Sequence, residues 1–273
     1  MFEMSVVQWI SVSMLILIIL FFTIYTIYFT AASVHDQNDW NYRAFCLFAI
    51  YILHNIFGNM FLCWQTDSSW KSLPHSQQQP PPSDAPLWHF CKPCNMRMPP
   101  RSWHCRICEC CTLKRDHHCV FLASCIGHNN QRYFICLMAH FSLATAVCFA
   151  YCIAEAWYSH SLLITDPLWL HLIFWGYNID IDPSQYSWQM LTSLIAKLIL
   201  IVFMLPTFVL INQMAIVKRN STNYNINDRS YDIGFWQNVE TIFGKRRFWT
   251  LLSPFLNSPQ PHDGSQWTSL KDL

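Results

Sequence analysis

The chain has 273 residues, with 17 Lys and Arg against 16 Asp and Glu and a net charge of +1. Hydrophobic residues make up 53% and charged ones only 12%, about half the share in an average soluble domain. This balance excludes a disordered chain and a collagen-like rod, argues against an ordinary soluble enzyme, and offers no general basic surface for nucleic acid.

A bilayer core about 30 Å thick takes roughly 20 apolar helical residues. Four segments predict such helices: residues 6–32, 44–64, 133–157 and 188–211. The first contains no Lys, Arg, Asp or Glu, lacks a basic leader and is too long for a cleavable signal, so it is expected to be retained. Lys197 falls inside the fourth, where it is expected to face a polar cavity or to snorkel. A fifth apolar stretch, 162–177, is shorter and carries Asp166, Pro167 and His171, which predicts an interfacial or re-entrant segment.

Charge asymmetry sets the expected topology. Eight Lys and Arg lie in 65–132 and seven follow residue 211, whereas 158–187 holds none beside Asp166, Asp180 and Asp182. Both basic regions are therefore expected on the cytosolic side, with an even number of spans between them. The predicted fold is an all-α integral membrane protein with four transmembrane helices and both termini in the cytosol. Its cytosolic, Cys-rich, zinc-binding domain lies between spans two and three. The expected division is two helices in 1–65, a Pro/Gln-rich linker in 66–88, the Cys-rich domain in 89–132, two helices with a lumenal loop in 133–211, and a cytosolic tail in 212–273. No internal repeat is found.

Eight of the 13 cysteines fall between Cys91 and Cys125. In a reducing compartment this favours metal or catalytic use over disulfides. The pattern is Cys91-x2-Cys94-x9-His104-Cys105-x2-Cys108-x-Cys110-Cys111-x4-Asp116-His117-His118-Cys119-x5-Cys125. Paired C-x2-C units with interspersed His suit tetrahedral zinc, and metal binding supplies folding energy that a loop without an apolar core lacks. Two zinc ions consume eight ligands, while the segment offers eight Cys and three His. Three groups are surplus, and spacing alone does not say which.

Asp116-His117-His118-Cys119, set in this Cys/His pattern between two pairs of predicted spans, closely resembles the DHHC-type protein S-acyltransferases, or palmitoyltransferases. Asn130 also matches, as do Tyr231-Asp232-Ile233-Gly234, Asn238 and Phe243-Gly244 in the tail. The resemblance implies two structural Zn2+, one held by Cys91, Cys94, His104 and Cys111, the other by Cys105, Cys108, His118 and Cys125. It implies Cys119 as nucleophile, His117 as its general base and Asp116 as the carboxylate orienting His117. The implied activity is transfer of a fatty acyl group from acyl-CoA, through a Cys119 acyl-enzyme, to cysteine thiols of membrane-associated proteins. The acyl chain would lie among the helices, and Arg101, Lys114, Arg115 and Arg132 are candidates for the CoA phosphates. The expected partners are fatty acyl-CoA, membrane-associated protein substrates with cytosolic cysteines and the bilayer, with no nucleic acid. The expected location is an endomembrane, endoplasmic reticulum or Golgi.

Three positions depart from the family pattern. Val120-Phe121 stand where Pro-Trp usually follows the motif, Thr66-Asp67-Ser68-Ser69 replaces a D-P-G turn, and Ser221-Thr222 lacks the Glu of a T-T-x-E element. Cys110 is an extra thiol in the ligand array. These departures leave a catalytically silent, zinc-stabilised membrane adaptor as the alternative expectation.

Overall fold

The computed structural model describes residues 6–81, 85–158 and 183–267. Among these residues, four helical stretches are long and apolar enough to cross a membrane: Val6–Val34, Trp40–Gln65, Gln131–Glu155 and Leu191–Arg219. They lie on α1 (Val6–Tyr25, continued by a π-helical turn at Thr26–Ala31), α2 (Trp40–Gln65), α3 (Gln131–Tyr158) and α4 (Pro183–Arg219). Their surfaces carry exposed apolar side chains such as Leu17, Phe208 and Ile211, a pattern that suits lipid rather than water. The stretch 162–177 lies outside the described residues.

The fourth helix runs eight residues past the apolar segment predicted from sequence. Its extra turns carry Gln213, whose amide is satisfied inside the protein, and end on Lys218 and Arg219, which complement the helix dipole. The stop is a Schellman arrangement. Asn220 takes a left-handed φ of 45°, its N–H donates to Val217 O, and the Ser221 N–H donates to Ile216 O.

The chain forms two compact units. One comprises Ile16–Ile52 and His140–Phe208. Here Phe22, Tyr25, Cys152, Ile195, Ala196 and Ile199 form an apolar cluster, and Thr26 and Thr30 return their hydroxyls to carbonyls one turn back. The hydroxyls of Ser142 and Thr207 hydrogen-bond to each other.

The other unit comprises Met1–Leu15, Leu53–Ala139 and Val209–Leu273 and contains the Cys-rich region. That region is built from strands where sequence reading expected only an all-α protein with a metal-bound loop. Six three-residue strands, β1 (His89–Cys91), β2 (Met96–Met98), β3 (Trp103–Cys105), β4 (Cys110–Thr112), β5 (His117–Cys119) and β6 (Ser124–Ile126), pair as three antiparallel hairpins. Isolated two-stranded hairpins are marginal in water, so side-chain cross-links must hold them.

The hairpins also correct the expectation of no repeat. His89, Trp103 and His117 open them at 14-residue intervals, and each register is the preceding one moved along by that period. Each loop closes on a left-handed residue at the same place: Asn95, Glu109 and Ala123, with φ of 52°, 51° and 49°. The repeat is hard to see in sequence because only the last position of each first strand is constant. Cys91, Cys105 and Cys119 share that position, whereas the one three residues later reads Cys94, Cys108 and Leu122.

Tail and turns pack onto this frame. α5 (Phe235–Phe243) buries Val239, Ile242 and Phe243 against Ile135, Cys136 and Val217. Asn238, fully buried, donates to Lys218 O and to Asp232 Oδ1 and accepts the Ile233 N–H. In the Asp67-Ser68-Ser69 turn, Asp67 Oδ1 accepts the Ser69 N–H and Ser68 O accepts the Leu113 N–H. An Asx turn thus docks α2 onto the hairpins without the usual Pro-Gly. Gly127 passes so close to this turn that a Cβ would sit 2.5 Å from Leu113 O and 2.7 Å from Ser68 Oγ.

Candidate active site and metal centres

The repeat generates the ligand sets. Each C-x2-C loop curls its two cysteines toward a cross-strand pair on the following hairpin. Cys91 and Cys94 meet His104 and Cys111, which are register partners, and Cys105 and Cys108 meet the register partners His118 and Cys125. In each quartet the ligand atoms lie within 4.8 Å of one another. A tetrahedral ion with bonds of about 2.3 Å to sulfur and 2.0–2.1 Å to nitrogen places S···S pairs about 3.8 Å and S···N pairs about 3.6 Å apart. Cys94–Cys111 and Cys108–Cys125 are 3.8 and 3.6 Å apart. His104 Nδ1 is 3.4 Å from Cys94, and His118 Nδ1 is 3.3 and 3.7 Å from Cys108 and Cys125. Both quartets can hold a metal ion, and the dimensions are consistent with zinc.

Protonation chemistry agrees with that fit. Mutual hydrogen bonds with Cys108 and Cys125 push the Cys105 thiol far down, and the bond to Cys105 pushes Cys108 far up. Thiols so placed compete for too few protons, a conflict that a cation removes. Arg115 lies against the same sulfurs. Burial lowers its pKa, but the bonds to Cys125 and Cys105 raise it overall, so its charge would offset the excess negative charge of three thiolates around a divalent ion held there. His118 Nε2, the ring nitrogen turned away from the quartet, lies 3.3 Å from the Gln8 side-chain amide, as expected for the outer partner of a ligand.

Three hairpins sharing ligands between neighbours make two quartets and leave loose ends. At one end Phe90 and Arg97 occupy the cross-strand positions. At the other, Cys119 occupies that constant strand-end position, with Leu122 where the second cysteine would stand and no further hairpin to complete a site. Cys119 is therefore a thiol at a ligand position without a metal partner. It is partly exposed, beside exposed Val120 and Phe121.

Asp116 and His117 flank it. Asp116 Oδ2 accepts His117 Nδ1–H at 2.8 Å and the Gln213 Nε2–H at 2.7 Å, and its Oδ1 accepts the Asn223 backbone N–H at 2.6 Å. Burial alone would raise the Asp116 pKa, yet these three donors lower it below the usual value. For His117, burial acts to lower the pKa. Hydrogen bonds to Asp116 and Cys119 overcome it and pull it up to about 9. With Nδ1 on Asp116, Nε2 is the nitrogen left to face Cys119, and the ring packs edge-on against Phe134.

Sequence reading missed Gln213 and Asn223 as partners of Asp116. Gln213 is a lone amide in an apolar helix, a signal that was available. Asn223 acts through its backbone N–H, which no side-chain pattern reveals. The Ser221-Thr222 segment, despite lacking the Glu, sets that donor: Arg101 donates to the carbonyls of Asn220 and Ser221 and fixes the chain leading to Asn223. Asn130 is fully buried. Its amide donates to Cys63 O and Cys125 O and its Oδ1 accepts the Gly127 N–H, tying α2 and the second quartet to the start of α3.

The four basic residues named as phosphate candidates are engaged within the protein. Lys114 is fully buried and donates to Gln131 Oε1 at 3.0 Å, which removes it from contact with a dissolved phosphate. Arg101 sits between the rings of Tyr231 and Trp267, 4.5 and 4.2 Å from their centroids, with its fork occupied by carbonyls. Sequence does not show that Lys114 is buried or that the Tyr231 and Trp267 rings lie over Arg101. Arg132 donates to Ser258 O and, like Arg115, stays partly exposed. Cys110, the extra thiol, is buried and pushed up to about 12 chiefly by that burial, so it is a poor nucleophile.

The family profile described as DHHC palmitoyltransferase matches residues 86–229. A rat (Rattus norvegicus) protein named probable palmitoyltransferase ZDHHC24 is 29% identical over 233 residues, covering 82% of this chain and 78% of its own. An Arabidopsis thaliana protein named probable protein S-acyltransferase 13 is 32% identical over 167 residues, 59% of this chain and 50% of its own. A Danio rerio protein named palmitoyltransferase ZDHHC16A is 44% identical over 66 residues, 24% of this chain and 17% of its own.

Proposed function

Because the chain belongs to the DHHC palmitoyltransferase family and is a protein S-acyltransferase, we propose that Cys119 carries the acyl group, with His117 as its base and Asp116 as the orienting carboxylate. The observation that supports this most is the Asp116–His117 bond at 2.8 Å beside a thiol that belongs to neither metal quartet.

In the first step His117 Nε2 takes the Cys119 proton. The thiolate forms a bond to the thioester carbonyl carbon of a fatty acyl-CoA, and the carbon–sulfur bond to CoA breaks, the leaving sulfur taking the proton from His117 so that CoA departs as its thiol and His117 is neutral again. In the second, a substrate cysteine thiol loses its proton to His117, bonds the acyl carbon and displaces the Cys119 sulfur. Each step exchanges one thioester for another, so no external energy source is required. Asp116 holds His117 with Nδ1 protonated and Nε2 toward Cys119, and stabilises the imidazolium that forms once Nε2 has taken the thiol proton. The quartets Cys91/Cys94/His104/Cys111 and Cys105/Cys108/His118/Cys125 hold two Zn2+. A closed four-ligand site has no open position, so the ions supply folding energy and rigidity.

The apolar Val120 and Phe121 beside Cys119 suit the start of an acyl chain running toward the membrane helices. Contact with CoA phosphates is proposed for the partly exposed Arg115 and Arg132. The clustering of Lys and Arg in the Cys-rich loop and tail supports a cytosolic site with both termini on that side, acting on cytosolic cysteines of membrane-associated proteins at the endoplasmic reticulum or Golgi.

The test incubates detergent-purified full-length protein with labelled palmitoyl-CoA and compares wild type with Cys119→Ser, measuring zinc in both. The expected result is hydroxylamine-labile label on wild type and none on a zinc-replete Cys119→Ser. Equal label on the variant, or none on a zinc-replete wild type beside an active control enzyme, would overturn the assignment.

A further inference from the structure

Lys114 is fully buried, and the reaction just outlined gives it no task. A buried amine is costly unless it is bonded. Burial first, then the nearby Arg101, drives its pKa well below the ordinary range, with Asp116 acting in the opposite sense. Its hydrogen bond leads into a continuous chain. Lys114 Nζ donates to Gln131 Oε1 at 3.0 Å, Gln131 Nε2 donates to Gln213 Oε1 at 3.1 Å, and Gln213 Nε2 donates to Asp116 Oδ2 at 2.7 Å. Lys114, Gln131, Gln213 and Asp116 are all buried, none more than 4% exposed.

The direction of this chain is fixed by chemistry. An ionised carboxylate only accepts, so Gln213 must turn its NH2 toward Asp116 and its carbonyl toward Gln131. Gln131 must then present its NH2 to Gln213 and its carbonyl to Lys114. The chain ends properly only on a donor, and an amine donates in either protonation state. Reversing any one amide would set two acceptors or two donors face to face in a buried site, and the fault would pass to Asp116.

We propose that Lys114, Gln131 and Gln213 are positioning residues for acyl transfer, forming a one-way donor chain that terminates on the carboxylate orienting His117. The proposal rests on the reading of Asp116, His117 and Cys119 given above. The chain supplies Asp116 with a donor that moves with neither the acyl donor nor the tail loop carrying Asn223. It also explains why a basic residue two places before Asp116 is buried rather than exposed to CoA.

The discriminating change is Gln131→Glu in the full-length protein. It is nearly isosteric and pairs with Lys114 at least as well, so the fold is expected to keep its metal and its melting midpoint. A carboxylate at 131 cannot donate to Gln213, however. Gln213 then turns its NH2 to residue 131 and its carbonyl to Asp116. The loss of a hydrogen bond to a charged acceptor predicts a burst of self-acylation from labelled palmitoyl-CoA slowed between about tenfold and a hundredfold, with the half-saturating palmitoyl-CoA concentration unchanged. A merely structural role for Gln131 predicts no loss of rate in a stable variant. Gln213→Met, which removes the donor to Asp116 together with the acceptor of Gln131, should show the same pattern and serves if Gln131→Glu loses metal. A burst rate within threefold of wild type in either metal-replete variant would overturn the proposal. Cys119→Ser is run in parallel: label surviving there would remove the underlying assignment, whatever the glutamine variants do.

Discussion

Replacing Asp116 by Asn tests the orienting role with almost no change in shape. All three partners of the carboxylate are donors: His117 Nδ1–H, the Gln213 amide and the Asn223 backbone N–H. An amide offers one acceptor and one donor, so a donor–donor conflict is unavoidable. The less damaging orientation keeps oxygen toward His117 and Gln213 and sets NH2 against the Asn223 N–H at a position now 2.6 Å away. The other forces His117 to accept through Nδ1, which protonates Nε2 and removes the base. The pKa of His117, raised from 6.5 to about 9 by Asp116 and Cys119 against burial, corresponds to a net stabilisation of the imidazolium on the order of 3 kcal/mol. Loss of the carboxylate's share therefore slows acylation by roughly a hundredfold. Rapid-quench measurement of thioester formed from labelled palmitoyl-CoA, with metal content checked, reads this directly. A metal-replete Asp116→Asn enzyme within threefold of wild type would refute the orienting role.

Other perturbations probe the frame. Asn130→Ala orphans the carbonyls of Cys63 and Cys125 and the Gly127 N–H; at about 1–3 kcal/mol per buried group the total is roughly 3–9 kcal/mol, so a marked fall in melting midpoint and metal content is expected, and unchanged values would contradict it. Leu122→Cys restores the C-x2-C pattern around Cys119; added zinc should then inhibit self-acylation reversibly, chelator restoring it, whereas equal zinc sensitivity in wild type and variant would count against the repeat-based account. Burial, with neighbouring Lys114 and Arg101, lowers His128 to about 3 and His262 to about 4. Their folded pKa values lie below the unfolded value near 6.5, so the stability they confer is complete above pH 6.5 and is lost as pH falls toward 4. For His128 the slope is about 1.4 kcal/mol per pH unit in that window. Hydrogen exchange in residues 260–267, where His262 O bonds the His128 ring, should quicken between pH 7 and 5; exchange corrected for intrinsic rate that stays flat would contradict it.

Much of this was legible from residue order, and the failures have physical causes. Long apolar runs reveal helices because lipid allows few alternatives, so the four membrane helices emerge within several residues of their ends. Their polar continuations do not, because Gln213 in α4 is stabilised by partners nearly a hundred residues away. The Cys/His pattern announced a metal module, but its three β-hairpins were hidden: strands of three residues are too short to show alternation, and ligands rather than apolar faces hold them together. For the same reason the 14-residue repeat escaped notice, with Phe90, His104 and His118 at one position and Arg97, Cys111 and Cys125 at another. Lys114 and Arg101 were named as phosphate candidates because basic residues normally lie at the surface. Residue order does not reveal the burial of Lys114 or the Trp267 ring lying over Arg101.

The central claim is that Cys119 is a ligand position left without a metal and for that reason is available to carry the acyl group. The most direct measurement is a single turnover with one equivalent of palmitoyl-CoA, followed by native mass spectrometry of the intact protein and thioester mapping on its peptides. The account predicts two zinc ions per chain before and after acylation, with the thioester on Cys119. A thioester on Cys110 or Cys63 instead, or release of a zinc ion as the acyl group goes on, would contradict it.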